Sequence, residues 1–244
     1  MVNCLRTHRS PNFGPRRPVE GRVGVRHLII HYTGMKDASE ALTRLCDPEA
    51  GVSAHYLITE DGTIFSLVDE EARAWHAGAA FWGGVCDLNS TSIGIELVNP
   101  GHDLGYRPFP DFQIAALMDL AEEIAARHGL DPKAILGHSD IAPGRKQDPG
   151  ELFPWVALAN RGIGLWPREE INSIVVPEGT HWHNLSAVGY AIPGGPGADI
   201  LDPRFAARDV IAAFQRRFRP QNVDGVLDEE TAARIAAVAA LYAP

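Results

Sequence analysis

Residues 134–150 read AILGHSDIAPGRKQDPG, placing His138, Asp140, Lys146 and Asp148 within eleven positions, directly after the apolar pair Ile135 and Leu136. Gly137, Pro143, Gly144, Pro149 and Gly150 punctuate the stretch, so most of it is expected to be loop, held by a short strand or turn. Imidazole, carboxylate and amine crowded on a loop are the layout of a site rather than of a core. Metal ligation by His138 and Asp148 is one reading, with the remaining ligands to be sought upstream. A polar surface loop that happens to hold a histidine is the other.

Outward from this stretch, residues 25–32 (VRHLIIHY) form a continuous apolar run that reads as a buried strand. It ends in His31-Tyr32-Thr33 and so delivers His31 to a sheet edge, where a core histidine bonded to backbone is the competing reading. Residues 91–99 (TSIGIELVN) read as another strand, with Ile93, Ile95 and Leu97 alternating with Gly94, Glu96 and Val98. Glu96 therefore faces away from the apolar side. An ionisable residue in such a strand is costly unless it is paired or faces a cleft.

Between these strands the pattern predicts a helix over 37–46 capped by Asp37 or Ser39, with Ala41, Leu42 and Leu45 on one face. A hairpin follows, with strands over 53–59 and 63–68 around Glu60-Asp61-Gly62. His55 lies in its first strand and fits a packed core as well as a site. A long helix over 112–128 is entered through Pro110-Asp111 and stopped by Gly129, with Met118, Ala121, Ile124 and Ala125 as its core stripe. Residues 153–161 predict a further helix. Strands interleaved with helices give an α/β class, a mixed central β-sheet flanked by helices.

Three segments are expected: an irregular arm over 1–24, the main domain over 25–167, and a linker with a small helical module over 168–244. Prolines and the run PGGPG at 193–197 mark the linker composition. In the module, Asp202-Pro203 is expected to cap a helix from about 204 to 218 with Ile211, Phe214 and Phe218 inward. Asp228 caps a last helix carrying Ile235, Val238 and Tyr242.

A net charge of −9 argues against nucleic acid or an anionic membrane as partner. No apolar run is long enough for a membrane span. Three scattered cysteines (Cys4, Cys46 and Cys86) without a CxxC pair indicate neither a disulfide framework nor a thiolate zinc site. The basic N-terminus is not followed by an apolar run, so it is not a secretory signal. A cytoplasmic protein is the expectation, with a periplasmic one the alternative if a leader was removed.

His31, His138 and Asp148 thus stand at strand-end or loop positions. Two imidazoles and a carboxylate, with a fourth position left to water, form a catalytic zinc pattern. Zinc lowers the pKa of such a water and polarises a carbonyl. Glu96 would then serve as general base and acid, and Lys146 would stabilise an oxyanion. That set is one for metal-assisted amide hydrolysis, although no HExxH anchors it. Asp140 is read as orienting His138 or its loop. The His181-Trp182-His183 pair is read as a solvent-facing loop, His102 and His128 as surface, and neither Cys86 nor Ser92 as a nucleophile.

HLIIHYTG, SAHYLI, RAWHAG, SIGIELVN and GHSDIAPGRKQDPG occur in this order, and the chain from about 25 to 166 resembles the zinc-dependent N-acetylmuramoyl-L-alanine amidases. The resemblance implies the fold shared with peptidoglycan recognition proteins and one zinc ion on His31, His138 and Asp148. It further implies Glu96 as catalytic carboxylate, Lys146 as oxyanion lysine, and Arg73 as the arginine that grips stem-peptide carboxylates. His55, His76 and Asn89 match family positions as further substrate-site residues. The segment DVIAAFQRRFRPQNVDGVLDEETAARI resembles the three-helix peptidoglycan-binding module, whose first helix would lie near 185–190. Either it binds wall polymer or it braces the catalytic domain. The implied activity is hydrolysis of the bond between N-acetylmuramic acid, in its 1,6-anhydro form, and L-alanine, on muropeptides in wall recycling or turnover. A peptidoglycan-binding protein without catalysis is the alternative.

Overall fold

The computed structural model describes residues 2–167, 177, 179–201 and 204–243. In chain order, β1 (Phe13–Pro15), β2 (His27–Tyr32), α1 (Ala38–Cys46), β3 (Tyr56–Ile58), β4 (Ile64–Ser66) and β5 (Ala72–Ala74) come first. Then follow α2 (Leu88–Thr91), β6 (Ser92–Leu97), α3 (Gly101–Leu104), α4 (Asp111–His128), β7 (Ile135–Gly137), α5 (His138–Ile141) and α6 (Trp155–Asn160). The C-terminal helices are α7 (His181–Val188), α8 (Ala207–Phe218) and α9 (Glu229–Tyr242). Among the described residues no helix is long and apolar enough to cross a membrane.

The main sheet has the order β4-β3-β6-β2-β7, with β2 parallel to both β6 and β7, β3 parallel to β6, and β3 antiparallel to β4. The expected mixed sheet flanked by helices is therefore the observed one. Strand alternation sorts the two faces. Leu28, Ile30, Ile93, Ile95, Leu97, Tyr56 and Ile58 face one way and meet Ile114, Leu117, Ala121 and Ile124 of α4. Asp37 caps α1 by accepting from the Glu40 N–H, and Gly129 ends α4 at φ 63°, a left-handed conformation that glycine adopts freely.

The opposite face carries Ile29 and Leu136, and here the C-terminal helices dock. Ile29, Leu136 and Ile141 share one apolar cluster with Leu185, Tyr190, Val210, Ile211, Phe214, Phe218, Ile235 and Val238. The helical part is thus joined to the sheet through a common core rather than standing apart as a separate module. Its first helix begins at His181, not near 185, so the His181-Trp182-His183 triplet lies on a helix instead of a loop. Asp228 caps α9 as expected. The expected cap at Asp202-Pro203 lies outside the described residues, and α8 starts at Ala207.

The N-terminal arm is irregular but pinned. β1 pairs antiparallel with β5, a small sheet that the sequence pattern does not announce, and Arg16 donates to the carbonyls of Glu70, Asn89, Ser90 and Ser92. The stretch expected to be mostly loop after Leu136 contains one helical turn, α5, that starts at His138 itself.

Candidate metal centre

Sheet register assembles the site. β2 and β6 run parallel with His31 opposite Glu96, and β7 lies on the other side of β2 with Gly137 opposite Ile30. His138 follows Gly137, so His31, Glu96 and His138 emerge side by side at the carboxyl ends of three parallel strands, where open α/β sheets place their ligands. The loop after α5 then returns Asp148 to the same point, tied down by a hydrogen bond from the Ser139 N–H to the Asp148 carbonyl (2.8 Å).

The three side chains converge tightly. His31 Nδ1 lies 2.9 Å from His138 Nδ1 and 3.0 Å from Asp148 Oδ2, and His138 Nδ1 lies 2.9 Å from that same oxygen. All three residues are buried. His138 Nε2 is 3.0 Å from the Ala77 carbonyl, which can only accept, and 3.3 Å from Arg145 Nη2; a proton shared with the carbonyl would leave the Nδ1 lone pair facing inward. Burial, then the neighbouring His138, lowers the His31 imidazole to about 4, so it is neutral at pH 7. Burial would raise the Asp148 carboxyl, but the two histidines hold it far below the usual carboxylate range. Two imidazole lone pairs and a carboxylate oxygen directed at one point repel one another unless a cation lies between them. The donor set fits a metal ion.

A second layer holds the imidazoles in place. His31 Nε2 is 3.0 Å from His76 Nδ1, and His76 Nε2 is 3.3 Å from Ser92 Oγ. Asn89 Oδ1 accepts from the backbone N–H groups of His76 and Ala77. It thereby fixes the carbonyl that orients His138. The His76 ring lies directly on Gly94, where any Cβ would sit 2.5 Å from its Cγ, so the glycine in SIGIEL makes room for it. His55 is buried beneath, its Nδ1 accepting from the Gly94 N–H and its Nε2 3.2 Å from the Ala72 carbonyl.

Above the triad opens a cavity of about 380 Å³ lined by His31, His76, Glu96, His138, Lys146 and Asp148, among others. Glu96 Oε2 is buried without a hydrogen-bond partner. Burial, and then the Asp148 charge, push its carboxyl well above the ordinary range, which suits a group that carries protons.

The structure thus brings His31, His138, Asp148, Glu96, Lys146 and His76 to one cavity. It does not bring His55, Asn89 or Arg73 there. Arg73 donates instead to Asp87 Oδ1 (2.8 Å) and Ser90 Oγ (3.0 Å), bracing the start of α2, which carries Asn89. Asp140 has no hydrogen bond to His138; its carboxylate accepts from Gly137 N–H and from C-terminal side chains. Two residues read as surface are half-buried and paired. His102 lines the cavity, between the Tyr32 hydroxyl (2.8 Å) and Glu151 (3.1 Å), and His128 pairs with Glu70 (2.6 Å). Arg44 and Arg145 also line the cavity without having been singled out, although Arg145 adjoins Lys146 in the GRK run.

The family model described as N-acetylmuramoyl-L-alanine amidase matches residues 21–151, and a peptidoglycan-binding-domain model matches residues 182–235. The N-acetylmuramoyl-L-alanine amidase AmiD of Escherichia coli is 40% identical over 225 residues, which span 86% of this chain and 80% of that relative. The solved complex of AmiD from E. coli with anhydro-N-acetylmuramic acid-L-Ala-D-gamma-Glu-L-Lys is similar at a TM-score of 0.78 and 34% identity, covering 95% of this chain and 98% of that one. AmpDh3 of Pseudomonas aeruginosa in complex with anhydromuramic pentapeptide gives a TM-score of 0.77 at 37% identity, covering 91% and 94%.

Proposed function

The chain belongs to the N-acetylmuramoyl-L-alanine amidases, and from this premise we propose that it cleaves the amide between anhydro-N-acetylmuramic acid and L-alanine with one zinc ion held by His31, His138 and Asp148. The observation that carries the metal reading is the convergence of two imidazole Nδ1 atoms and a carboxylate oxygen beside the partnerless Glu96 Oε2. Nitrogen and carboxylate donors of this kind suit zinc. Zinc bound there supplies a water of lowered pKa and a polarised carbonyl.

The chain's own groups do the rest. Glu96 takes a proton from the attacking water and returns it to the departing alanine nitrogen. Burial, and then the Asp148 charge, raise its carboxyl above the ordinary carboxylate range, in keeping with a group that takes and returns a proton. The Lys146 ammonium in the same cavity wall holds the charge that develops on the lactyl carbonyl oxygen. His76, anchored by Asn89, keeps His31 turned inward. Arg73 acts in this reading as a brace on α2, which carries Asn89, rather than as a direct clamp on stem-peptide carboxylates.

Anhydro-muramyl peptides are the substrates we assign because two related structures carry such ligands and each is covered over more than nine-tenths of its length. Action on such fragments places the enzyme in wall turnover and recycling. We take residues 25–167 as the catalytic unit and 168–244 as a linker and peptidoglycan-binding-like part. Elemental analysis tests the metal assignment. The wild-type chain is expected to hold one zinc per chain and His138→Ala far less. Equal metal content in the two would refute the ligand set.

A further inference from the structure

The turn that carries His138 is gripped from outside the catalytic domain. Asp140 is fully buried, and its carboxylate accepts three hydrogen bonds: from Gly137 N–H (2.8 Å), Tyr190 Oη (2.7 Å) and Arg217 Nη1 (2.7 Å). Tyr190 follows α7 and Arg217 lies on α8, so two of the three donors come from the C-terminal helices. Arg217 Nη2 also donates to the Ile135 carbonyl (3.1 Å). One guanidinium therefore holds residue 135 and residue 140, on either side of His138 in the chain. Its flat face rests on the Trp155 ring, 4.0 Å from the centroid. Trp155 in turn closes on Gly137, where a Cβ would meet it at 3.3 Å and Pro149 Cδ at 2.8 Å.

We propose that Arg217, with Tyr190, is a positioning residue for the metal centre, acting through Asp140 to hold the β7–α5 turn and so the direction of His138. This rests on the zinc reading above and extends it to the C-terminal helices. A buried arginine fork is suited to the task because it bonds a carboxylate and a carbonyl at fixed angles. Partners outside the ligand shell that orient a ligand commonly change metal affinity by about 10–100-fold when removed. The C-terminal helices accordingly serve the chemistry through Asp140 and the turn it holds, besides any contact they make with wall polymer.

Zinc affinity of the full chain, measured by competition with a chromophoric chelator, tests this. Arg217→Met is expected to weaken zinc about 10–100-fold, and Tyr190→Phe, which barely changes volume, to weaken it by a smaller factor in the same direction. Arg217→Lys should recover part of the loss. Arg219→Met is the control, because Arg219 ties α8 to Asp228 and Glu230 and makes no contact with Asp140. It should leave zinc affinity within about twofold of wild type while lowering the melting temperature. Wild-type affinity in both Arg217→Met and Tyr190→Phe, or an equal loss in Arg219→Met, overturns the proposal. If Arg217→Met does not fold, Tyr190→Phe against Arg219→Met decides. A wild-type chain that binds no zinc would overturn the functional reading as well, which distinguishes the two failures.

Discussion

Glu96 shows how one side chain is prepared for the proton transfer proposed for it. It sits opposite His31 in the register of two parallel strands, buried on one oxygen and lacking any partner there. Such burial is costly in a purely structural residue, and here it leaves a carboxyl whose proton affinity is raised. Glu96→Gln keeps the shape and removes the base. Turnover is expected to fall by about 10²–10⁴-fold, the usual contribution of a general acid–base group, while zinc content stays at the wild-type level. Activity within a few-fold of wild type would remove Glu96 from the proton path. His31, Glu96, Lys146, His138 and Asp148 were all legible in the sequence because each breaks a local pattern: a polar end on an apolar strand, or a charge in a glycine–proline loop. The position of Arg73 was not, since its partner Asp87 belongs to a turn whose return path is not written in hydrophobic periodicity.

At the level of elements, the end of α4 is fastened to the sheet through Glu70. Burial alone would raise its carboxyl, but hydrogen bonds from Arg127, Tyr56 and His128 outweigh it and hold the group at about 2, against an ordinary 4.5. The three donors lie at 2.6 Å, from α4 and from β3. Because the folded pKa is depressed, this contribution is complete above the unfolded value and is lost as pH falls from about 4.5 through about 2. Glu70→Gln is expected to cost about 2 kcal/mol at pH 7. The gap to wild type should narrow through that acid window in urea melts at stepped pH. A gap independent of pH would show that the carboxylate charge is not what matters. Helix and strand types followed the sequence because periodicity and caps such as Asp37, Gly129 and Asp228 are local signals. The β1–β5 pair and the α5 turn did not, because three- and four-residue elements are set by their partners rather than by their own pattern.

For the whole molecule, the shared core matters most. The composition shift after residue 167 marks a linker and a small helical module, and Ile29, Leu136 and Ile141 of the sheet side are wholly buried within the cluster that α7, α8 and α9 complete. Fully burying each such side chain contributes about 1.5–3 kcal/mol, against a net domain stability of only about 5–15 kcal/mol. A chain ending at residue 167 is therefore expected to lose its cooperative thermal transition by circular dichroism. A sharp melt near the wild-type temperature would mean that the catalytic domain closes its own core. No sequence pattern could have revealed this docking, because an amphipathic helix such as α8 shows that it has an apolar face but not what covers it.

The most direct test of the central claim is mass-spectrometric analysis of the products from an anhydro-muramyl peptide, incubated with the purified chain, with chelator, and with chelator followed by zinc. The account predicts free stem peptide beginning at L-alanine, its loss with chelator and its return with zinc. Intact substrate in every tube, or release that chelator leaves unchanged, would contradict a zinc amidase built on His31, His138 and Asp148.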